Sequence, residues 1–155
     1  HLLVIVAVGL WAVQLGGRAL WLLPSVFVGS MLSGAVLGLS GFSAVAAEPG
    51  ILASLLLLGA ALGMAWNPSV FVAACFVSLG GLFHGLGHGV EMPGGFAPAL
   101  YLAGMICATG LLHGVGIGSG VLLGKNPVLL TNRIAGIAMM AFALVDLLRG
   151  PFCPL

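Results

Sequence analysis

Two histidines and a glutamate lie close together in the stretch FHGLGHGVEMP, residues 83–93. His84 and His88 are four residues apart, so they share one face of a helix, and Glu91 follows at the next turn. Neutral imidazole binds nickel, cobalt, copper and zinc, and a carboxylate supplies negative charge that a divalent ion needs in a low-dielectric environment. The spacing therefore indicates a site for a borderline divalent metal ion.

A third histidine, His113, lies in a second glycine-rich apolar stretch, ATGLLHGVGIGSG (residues 108–120). No strand precedes it, so a phosphate-binding loop is excluded. We expect a kinked or broken helix that exposes backbone carbonyls along a path. The alternative is that each histidine stays neutral and hydrogen-bonds a neighbouring backbone carbonyl, which would hold helices together. The glycines beside His84 and His88 could equally serve tight helix packing.

The amino-acid composition indicates what kind of secondary-structure elements carry these side chains. The chain is 61% hydrophobic and only 5% charged, so long apolar runs place it in a membrane, and the absence of a basic cluster excludes nucleic-acid binding. We predict an all-α polytopic bundle, a single integral-membrane domain over residues 1–155. Glycine and proline breakers delimit about six spans: 2–15, 20–41, 51–66, 69–89, 98–123 and 128–148. Because a span takes ~20 residues, the first is truncated, and we expect residues upstream of His1.

Loop charges predict the orientation of the bundle. Alternating spans place Arg18, Lys125 and Arg133 on one side, and Arg149 on the other with two glutamates. Because cytoplasmic loops are enriched in Lys and Arg, the first side is predicted to be cytoplasmic. The outer side then carries the residues His1, Glu48, His88 and Glu91.

Four stretches together resemble a known family. HLLVIVAVGLWA, AAEPGILAS, FHGLGHGVEMP and ATGLLHGVGIGSG are similar to successive signatures of the HupE/UreJ family of nickel and cobalt permeases. The resemblance implies six spans in the inner membrane of a bacterium, and nickel or cobalt as the transported substrate. The family's ligand positions correspond to His1, Glu48, His84, His88, Glu91 and His113.

These observations favour a metal permease in which outer carboxylates and His88 collect the ion, and His84 passes it inward toward His113. Transport breaks no bond, so we expect neither enzymatic activity nor an organic cofactor. One alternative is a haem-binding electron-transfer subunit ligated by His88 and His113. Another is a structural subunit of a larger membrane complex. The expected partners are the lipid bilayer, a divalent metal ion, and either a second copy of the chain or such a complex.

Overall fold

The computed structural model describes residues 2–42, 47–95 and 97–149, and every regular element in these ranges is an α-helix. The helices are α1 Leu2–Leu15, α2 Ala19–Leu39, α3 Ala47–Gly63, α4 Val70–Val90, α5 Pro98–Leu123 and α6 Lys125–Arg149. The predicted all-α fold is confirmed. Each of the six predicted spans corresponds to one helix, and two of them, 2–15 and 98–123, have the same limits as their helices.

Local sequence explains where these helices begin and end. Gly16 (φ 70°) and Gly124 (φ 77°) end α1 and α5 in a left-handed conformation that glycine adopts without strain. The Ser69 side chain accepts a hydrogen bond from the Val72 amide at 3.4 Å and caps the start of α4. Helices α3 and α6 begin three or four residues earlier than predicted, because Pro49 and Pro127 lie in first turns, where proline is tolerated.

The outer surface of the bundle is apolar. Four helical segments in the described part of the chain are long and apolar enough to cross a membrane: Ala19–Leu39, Val70–Val90, Pro98–Leu123 and Asn126–Arg149. Helices α1 and α3 are shorter, with 14 and 17 residues. Large side chains such as Phe71, Leu100 and Leu122 point outward with at least 74% of their surface exposed. The chain is thus an integral membrane protein whose exposed leucines and phenylalanines face lipid.

Successive helices alternate in direction, which defines two ends of the bundle. Helices α2 and α4 run parallel, as do α1 and α5, since contacts between their glycines and the partner backbone advance together along both sequences. The α1–α2, α3–α4 and α5–α6 connections lie at one end, here called the Arg18 end. The α2–α3 and α4–α5 connections lie at the other, here called the His88 end. This alternation agrees with the predicted arrangement of loops.

Glycines bring α4 into direct contact with α2. A Cβ atom added at Gly85 would collide with the Met31 carbonyl oxygen, and one at Gly89 would collide with the Ala35 carbonyl oxygen. These contacts support the tight-packing interpretation of the glycines beside His84 and His88. The break expected as one possibility in the second glycine-rich stretch is not found, because α5 is continuous from Pro98 to Leu123. Its glycines at 116 and 120 instead pack against α1.

Candidate metal-binding site

Two histidines from different helices meet in the core of the bundle. His84 of α4 and His113 of α5 are 1% and 2% exposed. Both contact the ring of Phe27 on α2, with centroid distances of 5.9 Å to His84 and 5.3 Å to His113. The structure therefore brings together two of the residues predicted from the sequence, on a phenylalanine that the sequence did not single out.

The hydrogen bonds of the two histidine rings indicate which ring nitrogens could bind a cation. His84 Nδ1 lies 2.9 Å from the Gly80 carbonyl oxygen. Because a carbonyl only accepts, Nδ1 carries the proton, and Nε2 is the acceptor nitrogen of the neutral ring. Neither ring nitrogen of His113 has a hydrogen-bond partner of acceptable geometry among residues 2–42, 47–95 and 97–149. Buried imidazole nitrogens of this kind are suited to a ligand or to water.

His88 lies one turn beyond His84, near the end of α4, and is half-buried. The hydroxyl of Tyr101 on α5 donates to the His88 backbone carbonyl at 3.2 Å and lies 3.5 Å from His88 Nδ1. A hydroxyl that donates to the carbonyl can also accept from the Nδ1–H of a neutral imidazole. Tyr101 thus orients His88, and the sequence alone did not identify it.

Both predicted carboxylates lie at the His88 end. Glu91 caps the end of α4, where its amide donates to the Gly87 carbonyl. Its side chain is exposed and close enough for its charge to act on His88 and Tyr101. Glu48 lies exposed in the first turn of α3. His1, the remaining predicted ligand, lies outside the described residues.

The predicted ligands are distributed along the bundle. Within the described ranges, no group of three or more His, Cys, Asp or Glu side chains is close enough to hold one ion. His88 and His84 are four residues apart along α4, a rise of about 6 Å. His113 contacts the same Phe27 ring as His84. The arrangement offers successive sites with few protein ligands each.

The structure adds a buried polar pair beside these histidines. Thr109 Oγ1 donates to the Met31 sulfur at 3.6 Å, and both side chains are buried. Thr109 lies one turn before His113 on the same face of α5. The four-residue spacing of Thr109 and His113 was a signal in the sequence that could have located this hydroxyl. Nothing in the sequence alone marked Met31.

Comparison with known proteins shows which family the chain belongs to. The family described as HupE / UreJ protein matches residues 1–145. The chain belongs to the HupE/UreJ family. It is 39% identical over 150 residues to Protein HupE of Rhizobium leguminosarum bv. viciae, an alignment that covers 97% of this chain and 78% of that protein. No solved structure matches the chain.

Membership of the HupE/UreJ family confirms the resemblance seen in the four sequence stretches. The family is one of membrane transporters for nickel and cobalt. The helices of this chain, long and apolar enough to cross a membrane, agree with that general function.

Proposed function

We propose that this protein is a permease that takes up nickel or cobalt across the inner membrane of a bacterium. The observation that carries the proposal is the pair His84 and His113, two buried imidazoles from different helices that contact one phenylalanine inside the bundle. An ionisable residue inside a membrane bundle is costly and is usually functional. Of the ordinary side chains, imidazole is also among the best ligands for these two ions. The proposed ligands are His1, Glu48, His84, His88, Glu91 and His113.

In this proposal the ion moves through the ligands in order. Glu91 and Glu48, exposed at the His88 end, attract the cation. His88, half-buried and oriented by Tyr101, binds it first, and His84 binds it one turn deeper. His113, which contacts the same Phe27 ring as His84, then accepts it. A few protein ligands at each step, completed by water, allow release where a closed cage would not.

The direction of uptake follows from the charges. The Arg18 end carries Arg18, Lys125 and Arg133, whereas Glu48 and Glu91 lie at the other end. The positive-inside tendency makes the Arg18 end cytoplasmic and the His88 end external. A reporter fused after Leu155 should then appear outside the cell, and one inserted beside Lys125 should appear in the cytoplasm. Reversed signals would contradict uptake from the outer side.

Neither alternative function is favoured by a specific contact. For haem ligation, His88 and His113 would have to face one iron, but His88 contacts Tyr101 whereas His113 packs on Phe27. For a purely structural subunit, the buried histidines would only join helices. That role requires hydrogen bonds between helices, whereas neither ring nitrogen of His113 has such a bond to another helix in the described parts of the chain.

The test is uptake of radioactive nickel by cells that produce variants of His84, His88 and His113. His84→Ala and His88→Ala should each abolish uptake while membrane insertion is retained, because alanine is favourable in an apolar helix. We expect the same of His113→Ala. Cys107→Ala is the matched control, since this cysteine lies on α5 like His113 but is exposed on the outer surface. Normal uptake by well-expressed His84→Ala/His88→Ala protein would refute the proposal.

A further inference from the structure

An apolar cavity lies between α3 and α4 and opens on the lipid-facing surface of the bundle. Its volume is about 270 Å³. Its lining residues on α3 run from Gly50 to Leu58, a rise of about 12 Å along the helix. Leu57 of α3 and Leu79 of α4 form its mouth, where 51% and 56% of their surfaces are exposed. We call this cavity the α3–α4 crevice. It contains none of the proposed ligand residues.

The inner wall of the crevice belongs to the core of the bundle. It is formed by Val8 of α1, Phe27 of α2 and Val77 of α4, which are 1%, 1% and 3% exposed. Phe27 is the ring that His84 and His113 both contact. The crevice therefore extends from the lipid-facing surface to the aromatic ring that the two buried histidines share.

The walls of the crevice offer few groups that could bind water or an ion. Ser54 carries the only hydroxyl among the described lining residues, and this hydroxyl donates to the Ile51 carbonyl oxygen of its own helix at 2.7 Å. The thiol of Cys75 is weakly polar, and the other lining residues are glycines or have hydrocarbon side chains. Because water enters a cavity only where it finds polar partners, the crevice fits an apolar occupant.

The described parts of the chain leave this volume unfilled. An empty cavity costs stability in proportion to its volume, because the atoms around it lose contacts. An apolar cavity of about 150 Å³ is already large enough to stay dry and to bind benzene. In a bilayer, the molecules that reach the mouth at Leu57 and Leu79 are lipids, whose acyl chains surround the spanning helices.

The depth of the crevice in the membrane matches the end of an acyl chain. On α4 the lining residues run from Cys75 to Phe83, near the middle of the spanning segment Val70–Val90. On α3 they also lie near the middle of the helix, Ala47–Gly63. The middle of a spanning helix lies at the centre of the hydrocarbon core, where the methyl ends of acyl chains are found.

We propose that the α3–α4 crevice binds the methyl-terminal part of one acyl chain of a membrane phospholipid. The occupant follows from the continuity of the crevice with the lipid-facing surface, from its apolar walls and from its depth in the membrane. The chain contacts Phe27 and completes the packing around the ring on which the two histidines lie. The inference does not depend on the proposed transport function, and its test does not use metal uptake.

The first experiment maps where acyl chains touch the protein. The full-length protein is placed in nanodiscs of a phosphatidylcholine that carries a diazirine at the methyl end of one chain, and labelled residues are identified by mass spectrometry after irradiation. Phe27 and Val77 should be labelled as strongly as Leu111, which is 73% exposed on α5. Leu23 is the matched control, since it lies one turn before Phe27 and is 0% exposed but does not line the crevice. It should be labelled at least about tenfold less, because close packing leaves no room for a chain there.

Two other results of this map would overturn the proposal. Labelling confined to exposed residues such as Leu111 would show that the crevice holds no acyl chain. Loss of labelling at Leu57 and Leu79 as well as at Phe27 would show that a second copy of the chain covers the crevice.

The second experiment fills the crevice from within. Gly80→Leu is suited to this, because a Cβ atom built at Gly80 meets only Ser54, whose Cβ lies 3.5 Å away at an ordinary contact distance. Ser54→Leu is a second filling variant. In whichever variant retains the unfolding temperature of the parent, labelling of Phe27 should fall about tenfold, to the level of Leu23, because no room for the chain is left. Labelling of Leu111 should not change.

Gly110→Leu is the matched control for the filling variants. It also replaces a glycine within a helix, but Gly110 is exposed on α5 and nothing lies within 4 Å of a Cβ atom built there. This control should leave the labelling of Phe27 at the level of the unmodified protein. Full labelling of Phe27 in a folded filling variant would overturn the proposal, as would an equal loss of labelling in Gly110→Leu.

Discussion

The two ends of the bundle differ in both chemistry and packing. At the His88 end, imidazole and carboxylate groups lie where α2 and α4 touch backbone to backbone, with Gly85 against Met31. At the Arg18 end, the polar groups are amides and a backbone carbonyl, beside a cavity of about 560 Å³. Imidazole and carboxylate hold a divalent ion more tightly than neutral amides do. In the proposed permease, the stronger ligands for a divalent ion therefore lie toward the His88 end, and the Arg18 end offers neutral amides.

The largest expected effect, on folding and on uptake, comes from disrupting the close packing of α4 against α2. Gly85→Leu should abolish folding of the bundle and hence uptake, because the added side chain meets the Met31 carbonyl, and backbone cannot move aside as a side chain can. Gly114→Leu is the matched control. Gly85 follows His84 and Gly114 follows His113, but nothing lies within 4 Å of a Cβ atom built at Gly114. The measurements are the yield of monodisperse protein, its unfolding temperature and nickel uptake. Equal yield, unfolding temperature and uptake for the two variants would show that the close α2–α4 contact is not required for folding.

These two glycines also show what a single sequence can and cannot predict. Breakers such as Gly16, Gly124 and Pro98 act locally, so the helix limits followed from them to within a few residues. Which glycine faces another helix depends on contacts between distant parts of the chain. For that reason the breaker pattern suggested a broken α5, whereas the helix is continuous and Gly116 packs on α1.

The same limit applies to the candidate site. Histidines and acids in an apolar chain are conspicuous, so His84, His88 and Glu91 could be proposed from composition and spacing. The residues that surround them in the structure could not be predicted in this way. Phe27 is one of many apolar residues, and Asn132 lies 118 residues from its partner Gln14. An amide at such a distance acquires a role only through the packing of α1 against α6.

The next largest effect is expected from lowering the pH, which should weaken Co²⁺ binding at the histidines but does not change the charge of the amides at the Arg18 end. Free imidazole has a pKa near ~6.5, and only its neutral form binds metal. Metal binding therefore competes with protons, so Co²⁺ affinity at the histidines should weaken as the pH falls, and binding at low pH should release protons. Amide side chains such as those of Gln14 and Asn132 do not titrate, so this pH dependence is confined to the proposed ligands of the histidine site. The measurement is a Co²⁺ titration from about pH 8 to 5, centred on the imidazole value. A flat affinity at the histidines would exclude them as the principal ligands.

A smaller effect on Co²⁺ affinity is expected when the negative charge of Glu91 is removed. Glu91→Gln should weaken Co²⁺ binding at every pH by about tenfold at low ionic strength, because the neutral amide no longer offsets the charge of the ion. Salt should reduce the difference, since Glu91 is exposed and its charge is screened. Glu48→Gln serves for comparison, because both acids are exposed at the same end but only Glu91 acts on His88. If Glu48→Gln weakened binding more than Glu91→Gln, the order of ligands at the entrance would need revision.

The smallest effect should come from Tyr101, which orients a ligand without binding the ion. Tyr101→Phe removes the hydroxyl that donates to the His88 carbonyl at 3.2 Å and lies 3.5 Å from Nδ1, but keeps the aromatic ring. Loss of one such hydrogen bond corresponds to about 0.5–1.5 kcal/mol, so Co²⁺ affinity should fall roughly two- to tenfold. The unfolding temperature should change little, because the hydroxyl is not deeply buried. Isothermal titration of the purified variant beside wild-type protein measures the difference. An unchanged affinity would show that α4 alone orients His88. A complete loss of binding would place the Tyr101 oxygen among the direct ligands, and the entrance would then combine imidazole, carboxylate and phenol.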